Sequence, residues 1–250
     1  MVVLALETVG LTKSFGGFTA VRGLDLRVRR GSIHALIGPN GAGKTTVFNL
    51  LSKFVAPTSG RILYEGRDIT REGPAATARR GLVRSFQISA TFPHLSVREN
   101  VRVALQRRLG TQYCFWRSCA SLAALDGKVL DLLGEVGLAD AAEMPAADLP
   151  YGRKRTLELA TTLALDPPVL LLDEPTQGMA VEDVARVKDL IRGAAQGRTV
   201  VMVEHNMSVV ADLCDTITVL QRGEILAEGS YAQVSRDGAV RAAYLGGGHG

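Results

Sequence analysis

The sequence predicts an α/β fold in which a parallel β-sheet is interrupted by an inserted helical segment. Two continuous apolar runs, 169–172 and 199–203, are typical of strands that are buried on both faces. A third apolar run, 33–37, leads through a glycine-rich stretch, 38–46, into a segment typical of a helix start. From about 96 to 165 helical spacing dominates. We therefore expect two stretches of αβ pattern with an all-helical subdomain between them.

The remaining elements follow from local pattern. Leu24, Leu26 and Val28 alternate with charged residues, as in a half-buried strand. The last residues, 246–250, are rich in glycine and are expected to be disordered. The other predicted elements are a strand at 61–64, a helix from about 72 that gives way to an extended stretch at 82–87, helices at 100–109, 122–136, 181–192 and about 231–245, and a closing hairpin over 217–227.

The glycine-rich stretch has the spacing of a phosphate-binding loop. Glycines let backbone N–H groups point together, and the helix start adds partial positive charge where phosphate oxygens would lie. Lys44 would reach the β- and γ-phosphates, and the Thr45 hydroxyl would face Mg²⁺. A chance match to a glycine-rich turn is the alternative, which the flanking strand and helix disfavour. The candidate nucleotide-binding residues here are Gly38, Pro39, Asn40, Gly41, Ala42, Gly43, Lys44, Thr45 and Thr46.

Composition restricts the class of protein. The chain has 250 residues and a formal net charge of +4, and its charges are dispersed, so a nucleic-acid-binding arm is unsupported. The cysteines cannot all pair and show no metal-binding CxxC spacing, which favours reduced thiols in a cytosolic protein. We expect neither a signal peptide nor a transmembrane segment, because the first residues lack a basic region and no apolar run reaches about 18 residues.

Polar residues follow the predicted buried strands at one edge of the sheet. Asp173 and Glu174 follow the run 169–172, and His205 lies just beyond the run 199–203. In open parallel sheets, ligands bind at the carboxyl ends of the strands. Asp173 would hold Mg²⁺, and Glu174 would polarise the water that attacks the γ-phosphate. The alternatives are an N-cap role for the acidic pair and a purely structural role for the histidine.

With these motifs together, the sequence resembles the ATP-binding subunit of an ABC transporter over nearly the whole chain. The resemblance rests on a Walker A loop at 38–46, a Q-loop at Gln87, a Walker B strand at 169–173 followed by Glu174, and a switch histidine at His205. It implies an α/β P-loop NTPase (RecA-like) ABC ATPase core with an antiparallel β subdomain and an inserted α-helical subdomain. It also implies one ABC ATPase domain over 1–245, with the core at about 1–87 and 166–230, the helical subdomain at about 88–165 and a C-terminal helix at about 231–245.

The resemblance also implies ligands and roles. ATP and Mg²⁺ would be the cofactors, and the adenine would stack on Phe15. Gln87 would link the Mg²⁺ and water site to a membrane permease, and His205 would contact the γ-phosphate. The implied catalytic residues are Glu174, His205 and Gln87, and the implied metal-binding residues are Thr45, Gln87 and Asp173.

A partner arrangement follows from the same resemblance. Two ATPase subunits, identical or different, would pair head to tail and trap each ATP between one Walker A loop and the opposite signature motif. The helical subdomain would dock on integral membrane permeases. A periplasmic substrate-binding protein would deliver the substrate to those permeases. The chain would then lie at the cytoplasmic face of the inner membrane, with no nucleic acid as partner.

The signature motif departs from the usual Leu-Ser-Gly-Gly-Gln of the family. Pro150 stands where the family has the serine whose hydroxyl meets the γ-phosphate, although proline is tolerated at a helix start. Cross-dimer closure would be weaker unless Arg153 or Lys154 compensates. The residues implied to meet the partner's ATP are Leu149, Pro150, Tyr151, Gly152 and Arg153.

Three short sequence segments indicate the type of transporter. The stretches 83–87, 203–207 and 243–246 resemble the subfamily that imports branched-chain (hydrophobic) amino acids, urea or amides. The long insert around 106–126 also fits this group, and its aromatic part is assigned to core packing or to an exposed patch. The alternatives are a lipopolysaccharide-export ATPase and a soluble, non-transport ABC ATPase that acts in assembly or regulation.

Overall fold

A computed structural model of the chain describes residues 3–85, 91–108 and 119–245. Gln87, most of the aromatic insert and the glycine-rich end 246–250 lie outside the described residues. By compactness the chain divides into two units. The first comprises Met1–Arg84, Pro168–Gln177 and Ala195–Gly250, and the second comprises Ser85–Pro167 and Gly178–Ala194.

The strands and helices alternate largely as the sequence predicts. The strands are β1 Leu4–Phe15, β2 Phe18–Leu24, β3 Arg27–Arg29, β4 Ile33–Ile37, β5 Ser59–Tyr64, β6 Arg67–Asp68, β7 Leu82–Arg84, β8 Val169–Asp173, β9 Thr199–Val203, β10 Thr216–Gln221 and β11 Glu224–Gly229. The helices are α1 Lys44–Leu51, α2 Pro74–Arg80, α3 Val97–Arg108, α4 Cys119–Glu135, α5 Tyr151–Ala164, α6 Val181–Ala194, α7 Met207–Leu213, α8 Tyr231–Val234 and α9 Gly238–Leu245.

A six-stranded sheet forms the centre of the first unit, in the order β11-β10-β4-β9-β8-β7. The strands from β10 to β7 are parallel to their neighbours, and β11 closes the sheet as an antiparallel hairpin partner of β10. Every residue of β4, β8 and β9 is buried, as their continuous apolar runs predict. Asp173 pairs with Val203 in the ladder, so β8 and β9 end side by side.

The first unit also contains the expected antiparallel sheet. Its path is β2-β1-β5-β6, with β3 on the other side of β1. The predicted alternation around Leu26 and Val28 is confirmed, because both are buried between exposed charged neighbours, although the chain divides there into β2 and β3. Helix α1 packs between the sheets through Phe48 and Leu51, which join Leu6 and Ile62 in the buried core of this unit.

The second unit is helical. Its core joins Val101, Leu133 and Leu157 with the partly buried Leu190 of α6. The sequence places the helix over 181–192 in the core stretch 166–230, whereas the structure groups it with the helical unit. The amphipathic pattern shows that α6 has an apolar face, but it does not show which core that face meets.

Among the helices within the described ranges, none has both the length and the apolar content needed to cross a bilayer.

A buried histidine lies in the parallel sheet. His34 Nε2 lies 2.7 Å from Thr218 Oγ1, and the Thr218 hydroxyl donates to Glu228 Oε2 over 2.6 Å. Because a carboxylate only accepts, the Thr218 oxygen accepts from His34, which places the imidazole proton on Nε2. Burial, with a smaller contribution from the charge of Arg29, lowers the pKa of His34 from 6.5 to about 4. His34 is therefore a neutral structural group.

We expect His34 to make the fold sensitive to acid. The unfolded chain binds a proton at the histidine below pH 6.5, whereas the folded chain binds it only near pH 4. The free energy of unfolding should therefore decrease as the pH is lowered from 6.5 to about 4, by on the order of 3 kcal/mol from this group. Urea unfolding measured across this pH range should show a smaller decrease in the free energy of unfolding for His34→Gln than for the wild type. The exposed His94, changed in the same way, is the control, and equal pH dependence in both variants would refute this assignment.

Candidate active site

The glycine-rich loop joins β4 to α1 and approaches neighbouring backbone closely at two glycines. Gly38 and Gly43 have φ angles of 149° and 101°, a region that side chains rarely tolerate. A Cβ atom at Gly38 would overlap the carbonyl oxygen of Leu220, and one at Gly43 would lie 2.7 Å from the carbonyl oxygen of Ala20. The loop is therefore held against two neighbouring segments, while a Cβ at Gly41 would meet nothing within 4 Å.

Helix α1 begins directly after this loop with Gly43 as its N-cap. No side chain among the described residues caps it, and its first turn carries no acidic residue. The first backbone N–H groups of a helix have no partner within the helix and carry partial positive charge. Thr45 is exposed and Thr46 is half-buried in this turn. The helix start therefore offers donors that fit an anion.

Lys44 is folded into the loop itself. Its Nζ donates hydrogen bonds to the carbonyl oxygens of Gly38 over 2.7 Å and of Pro39 over 3.0 Å. Burial lowers the pKa of Lys44, and the nearby charge of Glu174 partly opposes that shift. The ammonium thus lies among oxygen acceptors, a position that phosphate oxygens can share. The observed cradle and its cation fit a polyphosphate.

The two candidate catalytic side chains at the ends of β8 and β9 are in direct contact. Glu174 Oε1 lies 3.0 Å from His205 Nε2. The backbone of Glu174 has a φ angle of 48°, and its N–H donates to the carbonyl oxygen of Val203 over 2.9 Å. This left-handed conformation is uncommon for a residue with a side chain and recurs at functional sites. The expected convergence of the two strand ends is confirmed.

Asp173 is the buried carboxylate of the site. Its Oδ2 accepts a hydrogen bond from Arg84 over 2.5 Å. Within the described ranges, no three His, Cys, Asp or Glu side chains group together as a metal site. This donor set fits Mg²⁺, which often uses one carboxylate and takes its other ligands from phosphate and water. Of the three residues that the sequence implies for Mg²⁺, Asp173 is buried at the end of β8 and Thr45 is exposed in the first turn of α1, while Gln87 lies outside the described residues.

The sequence reasoning missed Glu204, which organises the edge of the sheet. Its side chain is buried, and its Oε1 accepts hydrogen bonds from the N–H and hydroxyl of Thr176 over 3.1 and 2.5 Å. Its Oε2 accepts from the N–H groups of His205 and Asn206 over 2.8 and 3.0 Å. Glu204 thus connects the segment that follows it, at His205 and Asn206, to Thr176 in the segment after Glu174. An acidic residue directly after an apolar run was the available signal, because buried carboxylates need partners.

Phe15 ends β1 with its ring about half exposed. Lys13 Nζ lies 4.9 Å from the centre of that ring. An exposed aromatic face with a cation beside it can stack against a planar base.

The signature stretch lies in the helical unit. Pro150 is the N-cap of α5 without a capping side chain among the described residues, and Tyr151 is exposed. Leu149 is buried in the core of the unit. A Cβ atom at Gly152 would overlap the carboxylate of Asp183. The start of α5 therefore already has an acidic neighbour within its own unit.

The two cations near the signature are engaged elsewhere. Arg153 Nη1 donates to Asp140 Oδ2 over 3.0 Å, and Lys154 Nζ donates to the carbonyl oxygen of Ala147 over 2.7 Å. Compensation for the missing serine by either side chain would require breaking these contacts.

Comparison with known proteins identifies the family. Residues 21–177 match the family model described as ABC transporter. The chain belongs to the ABC transporter family. Residues 224–250 of this ABC subunit match a second model, described as branched-chain amino acid ATP-binding cassette transporter. The predicted family and its α/β P-loop fold are confirmed, and the chain is an ATPase of this family.

The similar proteins span nearly the same length as this ABC subunit. It is 38% identical to the high-affinity branched-chain amino acid transport ATP-binding protein BraF of Pseudomonas aeruginosa, over 96% of this chain and 97% of that protein. It is 36% identical to the high-affinity branched-chain amino acid transport ATP-binding protein LivG of Escherichia coli, over 96% of this chain and 97% of that protein. A crystal structure of a nucleotide-free ATP-binding cassette from an ABC transporter superposes with a TM-score of 0.83 at 26% identity, over 98% of this chain and 99% of that one.

We expect Glu204→Ala to impair hydrolysis by disordering the edge of the sheet. The variant leaves the buried N–H group of Thr176 and the partly buried N–H group of His205 without their acceptor, and an unsatisfied buried donor costs about 1–3 kcal/mol. It should also loosen the 3.0 Å contact between His205 and Glu174. Since a misplacement of about 1 Å can cost about 10²-fold in rate, kcat for ATP hydrolysis should fall at least about 10-fold.

The control is Glu224→Ala, because among the described residues the Glu224 side chain forms only an exposed ion pair with Arg22. It should change neither kcat nor thermal stability. A Glu204→Ala variant that loses stability but keeps its kcat would show that Glu204 does not position the pair.

Proposed function

We propose that this subunit binds and hydrolyses ATP to drive an importer of branched-chain or other hydrophobic amino acids, or of a related amide such as urea. The observation that carries the ATPase site is the contact between Glu174 and His205 at the sheet edge, in the unit that also holds Lys44 in its glycine loop. The substrate class is supported by the match of residues 224–250 and by the names of BraF and LivG.

Each group at the sheet edge has a distinct task in this proposal. The N–H groups at the start of α1 and the ammonium of Lys44 bind the β- and γ-phosphates. Thr45 and Asp173, with Gln87, would hold Mg²⁺, whose charge offsets that of the phosphate oxygens. Phe15 stacks on the adenine.

Hydrolysis depends on the pair at the strand ends. Glu174 orients and polarises the attacking water as a general base. His205 holds the Glu174 carboxylate in place and can also donate a hydrogen bond to the γ-phosphate. Glu204 accepts hydrogen bonds from the segments that follow both strands and so keeps the Glu174 and His205 side chains in contact.

The partners follow from the same proposal. A second ATPase subunit, identical or different, supplies the opposing signature motif, and residues 149–153 of this chain act on the ATP of that subunit. The helical unit docks on membrane permeases at the cytoplasmic face of the inner membrane, and a periplasmic protein delivers the substrate to them.

Two variants separate nucleotide binding from hydrolysis. Lys44→Ala should abolish tight ATP binding, because it removes the cation among the loop acceptors. Glu174→Gln should retain ATP and lower the rate of hydrolysis by at least about 10². Equilibrium binding of a fluorescent ATP analogue and phosphate release measure the two effects, in the assembled transporter where the subunits pair.

The exposed Lys128 and Glu224 provide matched controls as Lys128→Ala and Glu224→Gln. Both controls should behave like the wild type. Full affinity in Lys44→Ala, or full turnover in Glu174→Gln, would contradict the proposed site.

Pro150→Ser should raise ATP turnover. The new hydroxyl restores a hydrogen bond to the γ-phosphate of the partner's ATP, and a hydrogen bond to a charged group is worth about 1.5–3 kcal/mol. That energy corresponds to about 10-fold or more in closure of the dimer. The measurement is the rate of phosphate release together with ATP-dependent dimerisation in the Glu174→Gln background.

Pro145→Ser is the control, because Pro145 is also the N-cap of a short helix in the same unit. Unchanged turnover and unchanged dimerisation in Pro150→Ser would show that the missing hydroxyl does not limit this ATPase.

A further inference from the structure

A buried arginine connects three parts of the first unit. Arg84 is the last residue of β7, and its side chain is only 10% exposed. Its Nη2 donates to Asp173 Oδ2 over 2.5 Å. Its Nη1 donates to Asn49 Oδ1 over 2.7 Å and to Ser52 Oγ over 3.1 Å. The guanidinium therefore joins the end of β8 to the last turns of α1.

Two aromatic rings lie beside this guanidinium. The central carbon of Arg84 lies 5.5 Å from the ring centre of Phe48 and 5.9 Å from that of Phe54. Its Nε is buried and has no hydrogen-bond partner among the described residues. The aromatic contacts and the hydrogen bonds together leave the side chain little freedom, and bonds from two nitrogens require the planar fork of arginine rather than the point charge of lysine.

The contact constrains Asp173 in a specific way. Arg84 occupies Oδ2, and none of the described residues donates a hydrogen bond to the other oxygen, Oδ1. A carboxylate that is held at one oxygen and open at the other is prepared for a second cation. The helix that anchors Arg84 is the same helix whose first turn follows the phosphate-binding loop. Arg84 thus links the position of the carboxylate to the position of that loop.

Charge alone does not explain the arrangement. Asp173 has a side chain that is only 4% exposed, and a buried carboxylate needs a counter-ion or hydrogen bonds. An arginine that only neutralised it would not need the anchors on Asn49 and Ser52. Those anchors hold the guanidinium through Nη1 while Nη2 binds Asp173, as outer-shell partners do when they orient a metal ligand.

We propose that Arg84 is a positioning residue for the metal–nucleotide site: it fixes Oδ2 of Asp173 against α1 and leaves Oδ1 to the Mg²⁺ of the bound nucleotide. This inference rests on the proposed ATPase site. In sequence, Arg84 also lies three residues before Gln87, a further metal-binding residue that the resemblance implies. Loss of Arg84 should therefore weaken the contribution of Mg²⁺ to nucleotide binding more than the binding of the nucleotide itself.

The test compares ATP affinity in Mg²⁺ with ATP affinity in EDTA, by equilibrium binding of a fluorescent ATP analogue. The wild type should bind more tightly with Mg²⁺. Arg84→Met should lose about 10-fold or more of that enhancement, the usual effect of removing an outer-shell partner, and should keep its affinity in EDTA within about 2-fold. Arg84→Lys should recover only part of the enhancement, because its ammonium cannot bridge Asp173 and α1 at once.

Two further variants complete the test. Asn49→Ala keeps the ion pair but removes an anchor, so it should show a smaller loss in the same direction. Arg80→Met removes a more exposed arginine that pairs with Glu72 and should leave the Mg²⁺ enhancement unchanged.

The outcomes are distinguishable. A wild-type protein that binds no nucleotide in either condition would overturn the proposed function, and this inference with it. A normal Mg²⁺ enhancement in Arg84→Met, with only a lower thermal stability, would overturn the role of Arg84 and leave the proposed function intact. If Arg84→Met does not fold, a normal enhancement in both Arg84→Lys and Asn49→Ala would overturn that role.

Discussion

Charge buried at the carboxyl edge of the parallel sheet constrains the structure of the whole site. A buried ion is costly unless a partner or hydrogen bonds compensate it. Lys44 is compensated by carbonyl oxygens of its own loop, Asp173 by Arg84, and Glu204 by backbone N–H groups and a threonine hydroxyl. Each compensating contact also fixes a position. These contacts organise the site, because they both compensate its buried charges and fix where those charges lie.

The same contacts explain how the two strand ends act together. Glu174 and His205 follow neighbouring strands of the sheet, and the ladder between β8 and β9 brings those strands to the same level. Their contact is fixed beyond the strands by Glu204, which accepts hydrogen bonds from both flanking segments. The positive φ angle of Glu174 is consistent with this constraint, since such a backbone persists only where surrounding contacts determine it. In the proposed ATPase site, the contact between Glu174 and His205 is therefore a consequence of strand pairing, supported by the buried carboxylate of Glu204.

The signature region follows a different principle. Helix α5 begins at a proline rather than at a capping hydroxyl, and the nearby cations already serve contacts inside the helical unit. Its remaining attraction for an anion is the N-terminal end of a helix, which is weaker than a dedicated hydrogen bond to a charged oxygen. The acidic side chain of Asp183 beside Gly152 reduces it further. In the proposed site, the groups that would bind nucleotide are thus concentrated in the glycine-rich loop and at the strand ends of the first unit.

The sequence by itself determined the loop, the buried strands and the residues at their ends, because glycine spacing and apolar runs are local properties of the chain. Its Asp173, Glu174 and His205 occupy the sheet edge as expected. Only the tertiary structure decided which groups hold those residues in place. Arg84 lies 35 residues from Asn49 and 89 residues from Asp173 in sequence, and Glu204 lies 28 residues from Thr176. Only the folded chain shows that these side chains meet. The grouping of α6 with the helical unit has the same cause, since an apolar face does not specify its partner until the chain has folded.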